Sequence, residues 1–294
     1  MKIFAKIAAA TLISLIALAA AGAVFYITVT ADARLQAEKL TPAAEGYAVY
    51  DAADTFIAEL SPRGGHKSVK GADLPAHVRD AFICAEDKNF YSHGGLDYKG
   101  IARAMLANLR ARSFRQGGST ISQQLVKNTQ LTSEKTLIRK LREIKLTRQL
   151  EKRYSKDQIL EMYLNTIYFG HACYGIAGAS EFYFGKDAKD LTAAEGATLA
   201  AVIRSPNNYS PFVNPEVCLR ARNNVLRRMR DLGKLSAPEY DRAVSADLPQ
   251  RREEVISAQS YLEAVRAELE QLPVYSPYKF LSGCKIYTYM DARM

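Results

Sequence analysis

The sequence predicts a mainly α protein, in which a single transmembrane helix precedes a helical domain. Three observations predict it. Residues 7–29 carry no charge and exceed the ~20 apolar residues that cross a bilayer as a helix. From Leu74 to about residue 245, apolar residues recur at helical spacing, with start and stop signals between the runs. Strand-like patterning is confined to short pieces at 47–50, 56–58 and 284–289.

Lys2 and Lys6 precede the apolar run, and Asp32 and Arg34 follow it. The positive-inside rule then predicts a cytoplasmic tail over 1–6, an anchor over 7–29 and everything later outside the membrane. A cleaved signal peptide is the alternative, because Ala20-Ala21-Gly22-Ala23 fits a cleavage site. Its apolar region is typically only ~7–15 residues, shorter than this run. Residues 30–70 mix the first strand-like pieces with Pro42, Pro62, Gly64 and Gly65 and read as a stalk or lead-in.

The domain itself is expected over 71–245. Pro75 suits a first helical position, and Val78, Phe82, Ala85 and Asn89 fall on one stripe. Further helices are expected near 98–112, 119–130, 133–152, 155–165, 172–183, 192–204, 215–232, 236–245 and 253–271. The last strand-like piece has little chain after it in which to complete a sheet. The expectation is therefore the front portion of a longer protein, or a truncated one.

The net charge of +9 is concentrated. Between Lys99 and Lys156 there are fifteen lysines and arginines against three glutamates. Such a field draws nucleic acid, anionic lipid or a phosphorylated substrate, and an exported location makes nucleic acid the poorest fit of the three. A plain solvated helix face accounts for part of it. The four cysteines lie far apart, and Cys84 and Cys173 sit among small and apolar neighbours as buried thiols would. The histidines are dispersed without a zinc-type spacing, so no structural metal is expected.

Three segments carry chemistry. Glu86 lies at the edge of the stripe made by Val78, Phe82 and Ala85. A carboxylate half-buried against apolar groups holds its proton toward neutral pH, where a general acid or base works best; the plainer reading of Glu86-Asp87 is a pair of surface charges. Next, Gly117-Gly118-Ser119-Thr120 opens a helix, and Thr120 with Gln123 has capping-box spacing. A helix start presents unpaired N–H groups that favour an anion, although an ordinary capped helix explains the segment alone. Third, Arg139 and Glu143 are spaced to pair on one helix face, which at an exposed site contributes only ~0.3–0.5 kcal/mol. Glu161 and Asn165 sit among aliphatic and aromatic neighbours and read as structural.

Together these segments resemble the peptidoglycan glycosyltransferase family, the polymerase module of class A penicillin-binding proteins and of monofunctional transglycosylases. The family's E-D-x-x-F-x-x-H-x-G-x-D is matched by Glu86, Asp87, Phe90, His93, Gly95 and Asp97. G-G-S-T-I-T-Q-Q-x-x-K-N is matched from Gly117 to Asn128, with Ser122 where threonine is commoner. R-K-x-x-E is Arg139 to Glu143, and I-L-E-x-Y-L-N is Ile159 to Asn165. The match runs in order from about residue 70 to 245, and Ser205 to Pro211 resembles its closing segment.

The resemblance implies a lysozyme-like glycosyltransferase domain on the outer face of the cytoplasmic membrane. It implies that lipid II is polymerised into β-1,4-linked glycan with inversion and release of undecaprenyl pyrophosphate. Carried over residue by residue, Glu86 is the general base and Glu143 supports the site. Lys127, Arg139 and Lys140 neutralise the pyrophosphate, while Ser119, Thr120, Gln123 and Gln124 hold the donor. Asp87, Phe90, His93 and Asp97 shape the first motif. No cofactor is required, with a divalent cation (Mg or Mn) at the pyrophosphate as the alternative. Partners are lipid II, the growing lipid-linked glycan and the membrane, with no nucleic acid. The segment 98–116, where Met105, Leu106 and Leu109 interleave with arginines, fits either the membrane interface or a packed amphipathic helix. Residues 246–294 resemble a linker and the truncated start of a transpeptidase-like domain. Two rivals stand beside this reading: a lysozyme-like enzyme that cleaves peptidoglycan, and a non-catalytic basic scaffold anchored in the membrane.

Overall fold

The computed structural model describes residues 2–40, 47–60, 68–111, 118–132, 134, 136–171, 173–250, 264, 265, 267–269, 271 and 285–289. Helices dominate it. The first, α1 (Lys2–Val29), is solvent-exposed along its apolar stretch, and Ala10–Val29 is long and apolar enough to cross a membrane.

The lead-in forms a small sheet. β1 (Tyr47–Tyr50) pairs antiparallel with β2 (Phe56–Leu60), and β3 (Lys285–Tyr287) adds to β1 in parallel. The order is β2-β1-β3. This overturns the expectation that the final strand-like piece lacks a sheet: its partner lies more than two hundred residues upstream, where local patterning cannot reach.

The domain core is built on α2 (Ala76–Glu86), α8 (Ala193–Val202) and α9 (Pro215–Asp231), which pack on one another. Gly196 lets α8 approach α2 closely, since a Cβ there would lie 3.2 Å from the Val78 backbone. Beside them, α4 (Ile121–Gln130) packs against α5 (Leu137–Arg153) and α6 (Lys156–Thr166). α3 (Tyr98–Ala111), α7 (Ile176–Phe184) and α10 (Ala237–Ser245) complete the set.

The expected helices are present with shifted ends. α2 starts at Ala76, with Pro75 one position earlier as its N-cap. α5 starts at Leu137 behind a Thr136 cap. The largest shift is at α7. Its expected first turn is a tight loop closed by a Tyr168–Tyr174 bridge, and Gly170 and Gly175 take positive φ there, so the helix begins only at Ile176. Of the helix expected over 253–271, most lies outside the described residues, as do Gly117 and residues 112–116. Cys84, Cys173 and Cys218 are buried thiols; burial pushes Cys84 and Cys218 up to about 11.

The expected structural roles in the fourth motif hold. Asn165 grips the Val69 peptide from both sides, accepting from its N–H at 2.9 Å and donating to its carbonyl at 2.8 Å. Glu161 accepts the Gly71 amide at 2.7 Å.

Candidate active site

Glu86 is the last residue of α2, where the chain leaves the helix into the first motif. Its side chain is 13 % exposed and lines a cleft of about 440 Å³. Gln124 Nε2 donates to Oε2 at 2.6 Å, while Oε1 is buried without a hydrogen bond and faces Arg204 Nε at 3.6 Å. One oxygen is thus held by a hydrogen bond, and the other has only the Arg204 charge beside it. Arg103, Gly118, Ser119, Thr120 and Gln124 form one part of the lining, and Lys88, Arg204 and Arg228 another. Arg228 is steadied by donating to the Ala85 carbonyl at 3.0 Å.

Asp87, one residue on, turns inward and is 7 % exposed. His93 Nε2 lies 2.9 and 3.0 Å from its two oxygens, and the Gly95 amide donates to His93 Nδ1 at 3.1 Å. That bond makes Nδ1 the acceptor, so the ring proton sits on Nε2 and points at Asp87. Asp87 Oδ2 also accepts the amide of Ile121, the first residue of α4, at 3.1 Å. This corrects the expectation for the glycine-opened helix start. Its first N–H already has an anion, and that anion is Asp87. Thr120 and Gln123 complete the capping box, and Thr120 Oγ1 donates to Gly95 O at 2.7 Å. Of the polar groups there, Ser119 is the exposed one.

The first-motif loop is tied down throughout. Asp97 accepts from Asn89 Nδ2 and the Gly100 amide at 2.9 and 2.8 Å. Burial works to raise its carboxyl, but these donors and the Arg103 charge outweigh it and hold Asp97 below its ordinary value. Phe90 is fully buried, with Lys156 Nζ 4.5 Å above its ring.

Glu143 does not line the cleft. It is 2 % exposed and accepts from Arg139 at 3.0 Å, from Gln123 Nε2 at 3.0 Å and from Lys140. The Arg139–Glu143 pair is therefore buried on its acidic side, unlike the exposed pair its spacing suggests. Lys127, Arg139 and Lys140 are likewise outside the lining among the described residues, with Lys127 exposed on α4.

Part of the basic block holds the end of α1. Arg142 Nε donates to Val29 O at 3.0 Å and its NH2 pairs with Asp32; Lys145 Nζ donates to Thr30 O at 2.5 Å. These cations sit at the C-terminal carbonyls of α1, where the helix dipole favours positive charge. Gln149 continues the clasp to Leu35 N and Ala33 O. Among the described side chains of α3 only Ala104 is buried, while Met105, Leu106 and Leu109 are exposed.

Sequence reasoning missed Arg204, Arg228 and Arg103 as cleft cations, and Tyr163 behind Gln124. Arg204 stands directly before the Ser205-to-Pro211 segment, which was the one available signal. Tyr163 is the tyrosine of the I-L-E-x-Y-L-N match, but an aromatic among aliphatics reads as core.

Fold and site define a class: a helical domain behind a long apolar helix, with one glutamate in a cleft lined by cations and aspartates. A family model described as Transglycosylase matches residues 53–230. The chain belongs to that family, and with it to the glycosyltransferases. Relatives include penicillin-binding protein 1F of Bacillus subtilis (strain 168), 44 % identical over 214 residues, covering 72 % of this chain and 30 % of the relative. Penicillin-binding protein 1A of Aquifex aeolicus (strain VF5) is 41 % identical over 219 residues, covering 74 % and 30 %. Penicillin-binding protein 1A/1B of Bacillus subtilis (strain 168) is 38 % identical over 286 residues, covering 92 % and 30 %. The chain spans 30 % of the length of these relatives.

Proposed function

We propose that this chain polymerises lipid II into β-1,4-linked glycan at the outer face of the cytoplasmic membrane, for bacterial cell-wall synthesis. The observation that carries the reading is Glu86 in the lining of the cleft, with one oxygen held by Gln124 and the other free of hydrogen bonds beside Arg204. In the step, Glu86 Oε1 takes the proton of the acceptor sugar 4-hydroxyl. That oxygen attacks the anomeric carbon of the lipid-linked glycan from the face opposite the leaving group. The new β-1,4 bond forms as the bond to phosphate breaks, and undecaprenyl pyrophosphate departs with the electron pair.

Cations near a departing phosphate stabilise its growing charge. Arg103, Arg204 and Arg228 are placed for this in the cleft itself. Arg139 and Lys140, paired with Glu143, contribute from beside it, and Glu143 acts by positioning them. The N-terminus lies in the cytoplasm on this reading. The outward apolar residues of α3 bring the cleft to the lipid, which favours the membrane-interface reading of that helix over a packed one. No cofactor is required; Mg or Mn at the pyrophosphate is the alternative, and a chelator arm of the assay separates the two.

The test is incubation of the purified protein with lipid II, followed by sizing of the glycan. Long, lysozyme-digestible strands are expected, and Glu86→Gln should lower the rate by at least ~10²-fold, as loss of a general base does. Shortening of preformed glycan would favour the hydrolase rival. Full activity of Glu86→Gln would remove Glu86 as the base, and absence of any reaction would favour the scaffold.

A further inference from the structure

Tyr163 is fully buried on α6 and its hydroxyl lies 3.2 Å from Gln124 Oε1. Gln124 Nε2 in turn donates to Glu86 Oε2 at 2.6 Å. We propose that Tyr163 and Gln124 form a positioning relay that fixes Oε2 of Glu86 and so leaves Oε1, the oxygen without a hydrogen bond, to act as the base. This rests on the reading of Glu86 as the base.

The direction of the chain follows from elementary donor and acceptor chemistry. A carboxylate only accepts hydrogen bonds, whereas an amide has one accepting end and one donating end. Gln124 must turn its NH2 to Glu86, which leaves its oxygen for Tyr163, and the phenol donates there. The alternative amide orientation would set oxygen against oxygen at Glu86. Burial foremost, then the charges of Glu86 and Asp87, push the Tyr163 hydroxyl well above its ordinary range. It therefore keeps its proton and remains a donor wherever the enzyme works. With Oε2 occupied, the substrate proton goes to Oε1, the oxygen beside Arg204.

Tyr163→Phe removes the hydroxyl and conserves the ring. The Gln124 amide then loses the partner that fixes its orientation. The expected result is a kcat lower by roughly tenfold, the order of one lost neutral hydrogen bond, with KM for lipid II unchanged and the unfolding transition cooperative. The decisive measurement is a double-mutant cycle with Gln124→Met, which keeps the length of the side chain. In the Gln124→Met background, Tyr163→Phe should have no further effect on kcat. An equal loss in both backgrounds would overturn the relay and assign Tyr163 to packing, as would an unchanged kcat for Tyr163→Phe alone. Glu86→Gln run alongside separates the two levels. If that variant is inactive and the cycle is additive, only the relay fails; if it is fully active, the base assignment fails and takes the relay with it.

Discussion

Adjacent residues at the end of α2 do opposite work. Glu86 keeps one oxygen free of hydrogen bonds, while Asp87 spends both of its oxygens on His93 and the start of α4. Gly95 shows how tightly that arrangement is built. Its φ is +90°, and a Cβ would come within 2.8 Å of both the Thr147 and Glu151 side chains. Gly95→Ala should therefore lower stability by at least ~2 kcal/mol, from backbone strain and overpacking together, read as a drop in the thermal unfolding midpoint. An unchanged midpoint would contradict this. Asp97 gives a pH prediction. Its carboxyl sits below 3.8 in the folded protein, so the unfolded chain binds that proton more readily. Its contribution to stability is full above 3.8 and is lost as pH falls through the folded value. Urea unfolding should show Asp97→Asn less stable than the parent at neutral pH, with the gap narrowing below pH 3.8; a gap independent of pH would argue against it.

At the scale of elements, α5 divides its charges between two tasks. Arg139 and Lys140 pair with Glu143 on the side facing α4, and Arg142, Lys145 and Gln149 hold the exit of α1. One helix thus binds both α4, through Glu143 and Gln123, and the end of α1. Arg142→Ala combined with Lys145→Ala should loosen residues 30–36. The exchange of the Leu35 and Gln36 amides is expected to rise about tenfold, the scale of a lost charge-assisted hydrogen bond. Unaltered protection would mean that packing alone docks the helix. Helical periodicity predicts α5 and its internal Arg139–Glu143 pair, since both depend on residues within four positions. Which neighbour each remaining cation meets depends on α1 and α4, which lie far away in the chain.

Across the whole molecule, the sequence by itself determined the mainly helical class, the long apolar first helix, the α4 capping box and the family that the match bears out. Each of these is written in local spacing: a stripe at helical period, an uncharged run, a Thr three residues before a Gln. Only the tertiary structure decided which polar groups meet. It placed Asp87 at the first N–H of α4, buried Glu143 beneath its two cations, and brought Arg204 to Glu86 and Tyr163 to Gln124. It also gave the last strand a partner in the lead-in. The reason is physical. A buried donor or acceptor must be satisfied wherever the packed helices leave it, and the partner is chosen by which elements lie side by side, not by distance along the chain.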